Sequence, residues 1–214
     1  MPIRIITIER EYGSGGAMIA LRLARRLGWK LWDEELSAEI ARVANVAPEA
    51  VRRRDEQVDS LLTRLFKVFA RGSYERALPV STEQLPDTDW MVAALHKVVE
   101  SAASRGNCVI VGRGSPYILR HRDDAFHVFV YAPREEKIKR VMSIGKSEKE
   151  ARQLIEEIDR ERASFIRHYF GKEWPHRPLY HLMMNSKCGD EFVVETILRQ
   201  IAAIEAAEPS PKNP

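Results

Sequence analysis

The chain has 214 residues, of which 44% are hydrophobic and 30% charged, a composition typical of a globular protein with one large core. Its formal net charge of +3 argues against a nucleic-acid-binding protein, and no apolar run reaches the roughly 18 residues of a membrane span. The two cysteines, Cys108 and Cys188, do not indicate a disulfide framework, and no charged-then-apolar leader opens the sequence. We therefore expect a cytoplasmic protein, with one domain over residues 1–207, a disordered tail at 208–214, and no nucleic-acid or membrane partner.

Short apolar runs alternate with helical patterns along the chain. The predicted strands are Ile3–Ile8, Trp29–Trp32, Asn107–Val111, Ala125–Tyr131 and Leu182–Asn185. The predicted helices are Ala17–Leu27, Glu34–Val46, Pro48–Arg71, one capped by Asp87 or Asp89 and ending at Ser104, Arg134–Ile144, one capped by Ser147 with Glu150 and ending at Tyr169, and Asp190–Ala206. The stretch Gly72–Pro86 is a predicted loop. This alternation predicts an α/β fold, a three-layer structure with a parallel sheet between helices.

Polar and glycine-rich segments follow most of the predicted strands. They are the loop around Gly13, the acid Asp33, the turn Gly112-Arg113-Gly114, and Asn185. Ligands of open parallel sheets bind at the carboxyl ends of the strands. The sequence therefore predicts a binding site at this edge of the sheet.

The loop at Gly13 lies in the segment E-R-E-Y-G-S-G-G-A-M-I-A, and three interpretations apply to it. A dinucleotide-binding turn would use Gly13 and Gly15, with Asp33 about 20 residues further on. Against it, Met18 occupies the third glycine position, and four residues separate the predicted strand from Gly13. A phosphate-binding loop fits better, because backbone N–H groups at a helix start hold anions. A glycine-rich connector without a ligand is the third interpretation.

The phosphate-loop pattern G-x-x-x-x-G-K-[ST] is incomplete here. Gly15 takes the last glycine position, Gly16 the lysine position and Ala17 the hydroxyl position, while Arg10 stands at the first glycine. The lysine normally neutralises phosphate charge and the hydroxyl binds Mg²⁺. Arg10 is the nearest cation and Ser14 the nearest hydroxyl that could replace them.

Two residues beyond this loop are candidates for ligand recognition. Arg113 lies between glycines directly after a strand, which suits bidentate recognition of a phosphate, although it could instead pair with a carboxylate at the sheet edge. Asp33 could hydrogen-bond a sugar or base, or cap the helix that begins at Glu34. The histidines lack zinc-site spacing, so we assign no metal ligand.

Several motifs together resemble the cytidylate kinase-like family, P-loop proteins related to bacterial cytidylate kinases. These motifs are I-T-I-E-R-E-Y-G-S-G-G, L-G-x-x-L-W-D, V-I-V-G-R-G, D-R-E-R-A-x-F-I-R-H-Y-F-G-x-x-W and L-Y-H-L-M-M-N-S. The resemblance as a whole extends from about Ile3 to Ile204. Ala17 differs from the pattern of the family, in which many members carry a basic residue at this position.

The resemblance implies a nucleoside monophosphate kinase fold that uses ATP and Mg²⁺. Its acceptor would be a nucleoside monophosphate, with CMP or dCMP expected. The acceptor-binding helices would lie in 34–104 and a lid in 145–172. By matching positions, Gly13, Ser14, Gly15 and Gly16 would line the ATP phosphates, and Asp33 and Arg113 would face the acceptor.

A kinase without the loop lysine needs arginines from elsewhere, because phosphoryl transfer depends on positioning and charge neutralisation. The predicted lid helix offers Arg160, Arg162 and Arg167, and Arg140 precedes it. We expect the first three to act on the transferred group, with Arg162 tied to Asp159. The alternative is a solvated, charge-paired helix face. A nucleotide-binding module with little turnover, a small-molecule kinase with another acceptor, and a homodimer also stay open.

Overall fold

The computed structural model describes residues 2–33 and 88–207. The strands are β1 (Ile5–Arg10), β2 (Lys30–Trp32), β3 (Cys108–Val111), β4 (Ala125–Tyr131) and β5 (Leu182–Asn185). The helices are α1 (Gly16–Leu27), α2 (Thr88–Ser104), α3 (Ser115–Ile118), α4 (Arg134–Met142), α5 (Glu148–Phe170) and α6 (Asp190–Ala207). The predicted helices Glu34–Val46 and Pro48–Arg71, the predicted loop Gly72–Pro86, the cap Asp87 and the tail at 208–214 lie outside the described residues.

All five strands belong to one parallel sheet in the order β2-β3-β1-β4-β5. The central strand, β1, is buried along its whole length. A parallel sheet with helices on both faces buries its strands on both sides, which explains why β1 is nearly continuous in apolar residues. The predicted α/β architecture is confirmed.

Side chains of β1 alternate between two cores, one on each face of the sheet. Ile6 and Ile8 pack with the apolar faces of α1 and α6, whereas Ile5 packs with α2 and the C-terminal part of α5. Helices therefore cover β1 on both faces of the sheet.

Helix α5 contributes to two hydrophobic clusters. It corresponds to most of the predicted lid at 145–172. Its first half packs with α4 in a smaller cluster, through Ile155 and Ile158. Phe165 and Ile166, in its second half, pack in the core that contains Ile5. The capping box is confirmed: the Glu150 N–H donates to Ser147 Oγ over 3.3 Å, and the Ser147 N–H donates to the Glu150 carboxylate over 2.8 Å. Within the described residues, no helix is both long and apolar enough to span a bilayer.

Strand β1 extends two residues beyond its predicted end. Arg10 still pairs with Val130 of β4 in the parallel register, so the strand includes Glu9 and Arg10. Only Glu11 and Tyr12 then separate the strand from Gly13, not the four residues that the sequence suggested. The expected end was wrong because apolar character stops at Ile8, whereas the backbone pairing does not.

Candidate functional site

The loop between β1 and α1 has a glycine-dependent backbone conformation that leads directly into a helix start. Gly13 and Gly15 have φ angles of 75° and 80°, in the left-handed region that glycine adopts without strain. Helix α1 begins at Gly16, and no side chain caps its N-terminus. The N–H groups of the first helical turn are therefore available to a ligand. Ser14 is buried, and Ala17 is half-buried in the first turn of α1.

Neighbouring elements fix this loop by hydrogen bonds to its backbone. Ser186, which follows β5, donates its hydroxyl to the Ser14 carbonyl over 2.6 Å. The Tyr12 N–H donates to Asp159 Oδ1 over 2.7 Å, and the Arg162 guanidinium donates to the Arg10 carbonyl over 2.7 Å. The loop conformation thus depends on α5 and on the end of β5, which lie far from it in sequence.

Three buried arginines and a glutamate meet beside the loop. Arg10, Arg113 and Arg162 line a cavity together with Glu9. The cavity holds about 10 Å³, which is room for about one water molecule. Burial, followed by the charge of Arg10, lowers the pKa of Arg162 to about 10. Arg162 therefore stays protonated at neutral pH, and an anion in the cavity would relieve the repulsion among these arginines.

Glu9 joins this cluster to the segment after α5. Its carboxylate accepts the Gly114 N–H over 3.3 Å and the indole Nε1–H of Trp174 over 3.0 Å. The sequence analysis assigned no role to Glu9. Trp174 packs edge-on against Phe129, at 5.5 Å between ring centroids. The available signal for Glu9 was an acid directly after an apolar run that leads to a candidate site.

The turn after β3 places Arg113 in the site. Gly112, Arg113 and Gly114 have φ angles of 65°, 61° and 64°, so three consecutive residues are left-handed. Arg113 Nη1 lies 3.7 Å from Asp33 Oδ1, and Nη2 donates to the Asp33 carbonyl over 3.3 Å. The carboxylate pairing considered for Arg113 is therefore present. It joins the two residues expected to face the acceptor.

The α5 arginines occupy different environments. Arg162 is buried, and its guanidinium also lies 3.4 Å from Asp159, as the three-residue spacing predicted. Arg160 and Arg167 are exposed. The structure thus brings Arg162 into the cluster and leaves the other two on exposed positions of the helix.

The side-chain hydroxyls of a usual phosphate loop are engaged or missing here. The Ser14 hydroxyl donates to the Glu11 carbonyl over 2.8 Å, and Ala17 has no hydroxyl. Residues 2–33 and 88–207 contain no group of three or more histidine, cysteine or acidic side chains arranged to hold a metal. Mg²⁺ in kinases is bound largely by substrate phosphates and water, so it does not require such a group.

Comparisons with known proteins agree on the fold. Residues 5–188 match the model of the cytidylate kinase-like family. No curated protein matches the sequence. The chain resembles the crystal structure of an uncharacterized protein from Eubacterium ventriosum, with a TM-score of 0.66, 21% identity, and coverage of 93% of this chain and 98% of that one.

Two kinases are among the structural neighbours. Shikimate kinase from Acinetobacter baumannii, in complex with shikimate, has a TM-score of 0.51 at 14% identity, covering 94% of both chains. An unliganded sugar kinase from Janibacter sp. has a TM-score of 0.50 at 16% identity, covering 98% of this chain and 100% of that one. At these identities the likeness shows the P-loop kinase fold.

Proposed function

The chain belongs to the cytidylate kinase-like family, and from that premise we propose that it transfers the γ-phosphoryl group of ATP to a nucleoside monophosphate, with CMP or dCMP the preferred acceptor. Kinase-family membership supports a phosphotransferase, and the choice of acceptor is the proposal. One observation carries it: Arg10, Arg113 and Arg162 converge in a buried cavity next to the phosphate loop. Converging guanidinium groups suit the recognition of an anionic group.

We assign the donor side of the site to the phosphate loop. Gly13, Ser14, Gly15 and Gly16 would hold the ATP phosphates through backbone N–H groups, with Ala17 in the first turn of the following helix. The Ser186 hydroxyl supports this arrangement through the Ser14 carbonyl. Bound with ATP, Mg²⁺ would supply further neutralisation of the phosphate charge.

We assign the acceptor side to Asp33 and Arg113, whose contact is described above. Arg10 links the two sides. Its backbone belongs to the end of β1, while its guanidinium reaches the G-R-G turn, where a Cβ on Gly112 would overlap Arg10 Nη1 and lie 3.1 Å from Arg10 Cζ. A cation in this position can neutralise charge on a group that passes between donor and acceptor.

The arginines of α5 complete the proposal. Arg162 is fixed by the Arg10 carbonyl and Asp159, so it would act as a preorganised charge. Arg160 and Arg167 would act when ligand binding draws α5 closer to the phosphates and excludes water. Each of the three would stabilise charge on the transferred group.

A second candidate function is a kinase for an acceptor that carries a carboxylate. The guanidinium fork matches carboxylate and phosphate groups equally well, and the cavity is small. A third is a nucleotide-binding module with little turnover, since Gly16 and Ala17 lack the lysine and hydroxyl functions of the usual loop.

A coupled assay for ADP release separates these functions. ATP-Mg²⁺ would be tested with a panel of nucleoside monophosphates and of small hydroxy acids, with Arg113→Ala as the control variant. Saturable turnover that requires CMP or dCMP and is lost in the variant supports the proposal. Turnover only with a hydroxy acid selects the second function, and nucleotide binding by calorimetry without turnover selects the third.

A further inference from the structure

A cation outside the arginine cluster lies directly on the phosphate loop. A Cβ placed on Gly15 would overlap Arg140 Nη1 and would lie 2.9 Å from Arg140 Cζ. The guanidinium of Arg140, in α4, therefore packs against the backbone at the last glycine of the loop. Gly15 immediately precedes Gly16, the position of the missing lysine. No local sequence pattern connects Arg140 with this loop.

Two contacts hold this guanidinium in place. Arg140 Nη2 lies 2.8 Å from Asp190 Oδ1, in the first turn of α6, and donates to the Ser186 carbonyl over 3.4 Å. Ser186 also anchors Ser14, so the same segment positions both the loop and the cation. About 33% of the Arg140 side chain is exposed. It is thus fixed on one edge and accessible on the other.

The other cations beside the loop are committed elsewhere. Lys137 contacts two carboxylates, Glu11 at 3.0 Å and Asp159 at 3.3 Å. Arg162 donates to the backbone of β1, and the Arg10 guanidinium extends toward Gly112. Among these described residues, Arg140 is the one whose guanidinium lies against the loop glycines.

We propose that Arg140 binds the phosphates of ATP and supplies the positive charge that a loop lysine provides in other P-loop kinases. This inference rests on the proposed function, because it assumes that the loop binds ATP. A guanidinium can keep Nη2 on Asp190 while Nη1 donates to a phosphate oxygen. Asp190 is then a positioning residue, which orients the fork without touching the nucleotide.

Calorimetry with ligands of increasing phosphate number tests the assignment. The dissociation constants of adenosine, AMP, ADP and ATP would be measured for the wild type and for Arg140→Met. Methionine keeps an unbranched aliphatic stem and removes the charge. We expect ATP affinity to fall about 10- to 100-fold and adenosine affinity to stay within about twofold, because charged hydrogen bonds contribute about 1.5–3 kcal/mol. Arg140→Lys should recover part of the loss, since it keeps the charge.

The control variant is Lys139→Ala, in the same helix. Lys139 is exposed and pairs with Glu136 over 3.0 Å, so its removal should leave all four affinities unchanged. Thermal unfolding would show whether each variant is folded, and Arg140→Lys alone decides the outcome if the methionine variant is not. In that case, an ATP affinity below that of the wild type with adenosine affinity unchanged supports the inference.

Three results overturn the inference, and they are distinguishable from one another. An equal loss for adenosine and ATP would place Arg140 on the base or in a structural role. Unchanged ATP affinity in both Arg140 variants would remove it from the site. If the wild type binds none of the four ligands, the proposed function itself fails, and this inference fails with it.

Discussion

The Cβ of Arg10 occupies the space that a side chain on Gly16 would need. A Cβ on Gly16 would lie 2.6 Å from Arg10 Cβ and 2.9 Å from Arg10 Cγ, both shorter than an ordinary contact. These positions correspond to the first glycine and the lysine of the P-loop pattern. An arginine at the first position therefore excludes a side chain at the second. We call this relationship a steric exchange, because the side chain at position 10 takes the space that a side chain at position 16 would need.

This relationship predicts coupling between substitutions at the two positions. Gly16→Lys should lower the free energy of unfolding by about 1–3 kcal/mol, the usual cost of overpacking, despite the better helix propensity of lysine. In Arg10→Gly/Gly16→Lys the clash is absent, so the double variant should be more stable than the sum of the single changes predicts, by at least about 0.5 kcal/mol. Urea unfolding of all four proteins measures the coupling.

A second cycle provides the control for this coupling. Gly28 is left-handed like other glycines here, but a Cβ on it would meet nothing within 4 Å. Gly28→Ala combined with Arg10→Gly should therefore be additive. Additivity in the Gly16 cycle as well would refute the steric exchange.

The left-handed turn around Arg113 predicts that two substitutions of this residue differ in stability but lose activity equally. Arg113 carries a side chain at a φ of 61°, where a residue other than glycine is strained by about 1–2 kcal/mol. Arg113→Gly removes that strain and Arg113→Ala keeps it, so the glycine variant should be about 1 kcal/mol more stable than the alanine variant. Both variants lose the guanidinium, and both should lose about 10- to 100-fold in kcat/KM for the acceptor.

Urea unfolding and acceptor titrations measure the two effects. If the arginine only shapes the turn, Arg113→Gly should retain activity, and the assignment to the acceptor would be wrong. Asp33→Asn is the companion variant, because it keeps the size of the Arg113 partner and removes its charge.

Local patterns accounted for most of the described fold. The strand Ala125–Tyr131 was predicted with the observed bounds, and the capping box at Ser147 was found as predicted. Both depend on residues within a few positions of one another, so a sequence pattern can show them. The order of the strands depends on how distant segments pack, and no local pattern indicated it.

The candidate site was predictable only in part, for the same reason. The Gly13 loop and the G-R-G turn lie at strand ends, which alternation and glycine spacing reveal. The contacts Arg162 to the Arg10 carbonyl and Trp174 to Glu9 join residues 152 and 165 positions apart. Tertiary packing creates such contacts, so the buried role of Arg162 and the participation of Glu9 were not readable from spacing.

Removing the charge of Glu9 should change stability and anion binding in opposite directions. Glu9→Gln faces the Trp174 indole N–H and the Gly114 N–H with one carbonyl oxygen instead of two acceptors, which should cost about 1–3 kcal/mol of unfolding free energy. The neighbouring arginines lose a compensating negative charge, so sulfate should bind more tightly. The increase in melting temperature caused by added sulfate should therefore be larger than in the wild type.

The matched control for this prediction is Glu205→Gln. Glu205 also accepts a backbone N–H, that of Ile3 over 2.8 Å, but it is remote from the arginine cluster in the fold. Its substitution should leave the effect of sulfate unchanged. A smaller sulfate effect in Glu9→Gln than in the wild type would show that Glu9 does not compensate the arginine charges.

The exposed arginines of α5 should affect turnover more than nucleotide binding. Arg160→Ala and Arg167→Ala should lower kcat by about 10-fold or more with little change in ATP affinity, because we propose that they reach the phosphates only in the closed state. Arg152→Ala, which removes an exposed pair with Glu148 on the same helix, should have no effect on kcat. Steady-state kinetics and ATP calorimetry separate the two parameters. Wild-type rates in both variants would exclude these residues from catalysis.

A buried histidine predicts how stability depends on pH. His127, in β4, is 3% exposed, its Nδ1 lies 2.8 Å from the Thr7 hydroxyl, and its ring stacks on His181 at 5.2 Å. Burial, with a smaller contribution from His181, lowers the pKa of His127 to about 4, from about 6.5 in an unfolded chain. The unfolded chain therefore binds more protons between these values. Stability should fall as pH decreases from about 6.5 to about 4, by at most about 3 kcal/mol from this residue.

Urea unfolding at several pH values, compared between wild type and His127→Asn, isolates this contribution from the carboxylates that titrate in the same range. The asparagine variant should be less stable at pH 7, because the packed ring is lost, but its stability should decline less between pH 6.5 and 4.5. His121→Asn, the same substitution at an exposed histidine, is the control. Parallel curves for wild type and His127→Asn would mean that His127 is protonated equally in the folded and unfolded chains, which its burial beside Thr7 and His181 argues against.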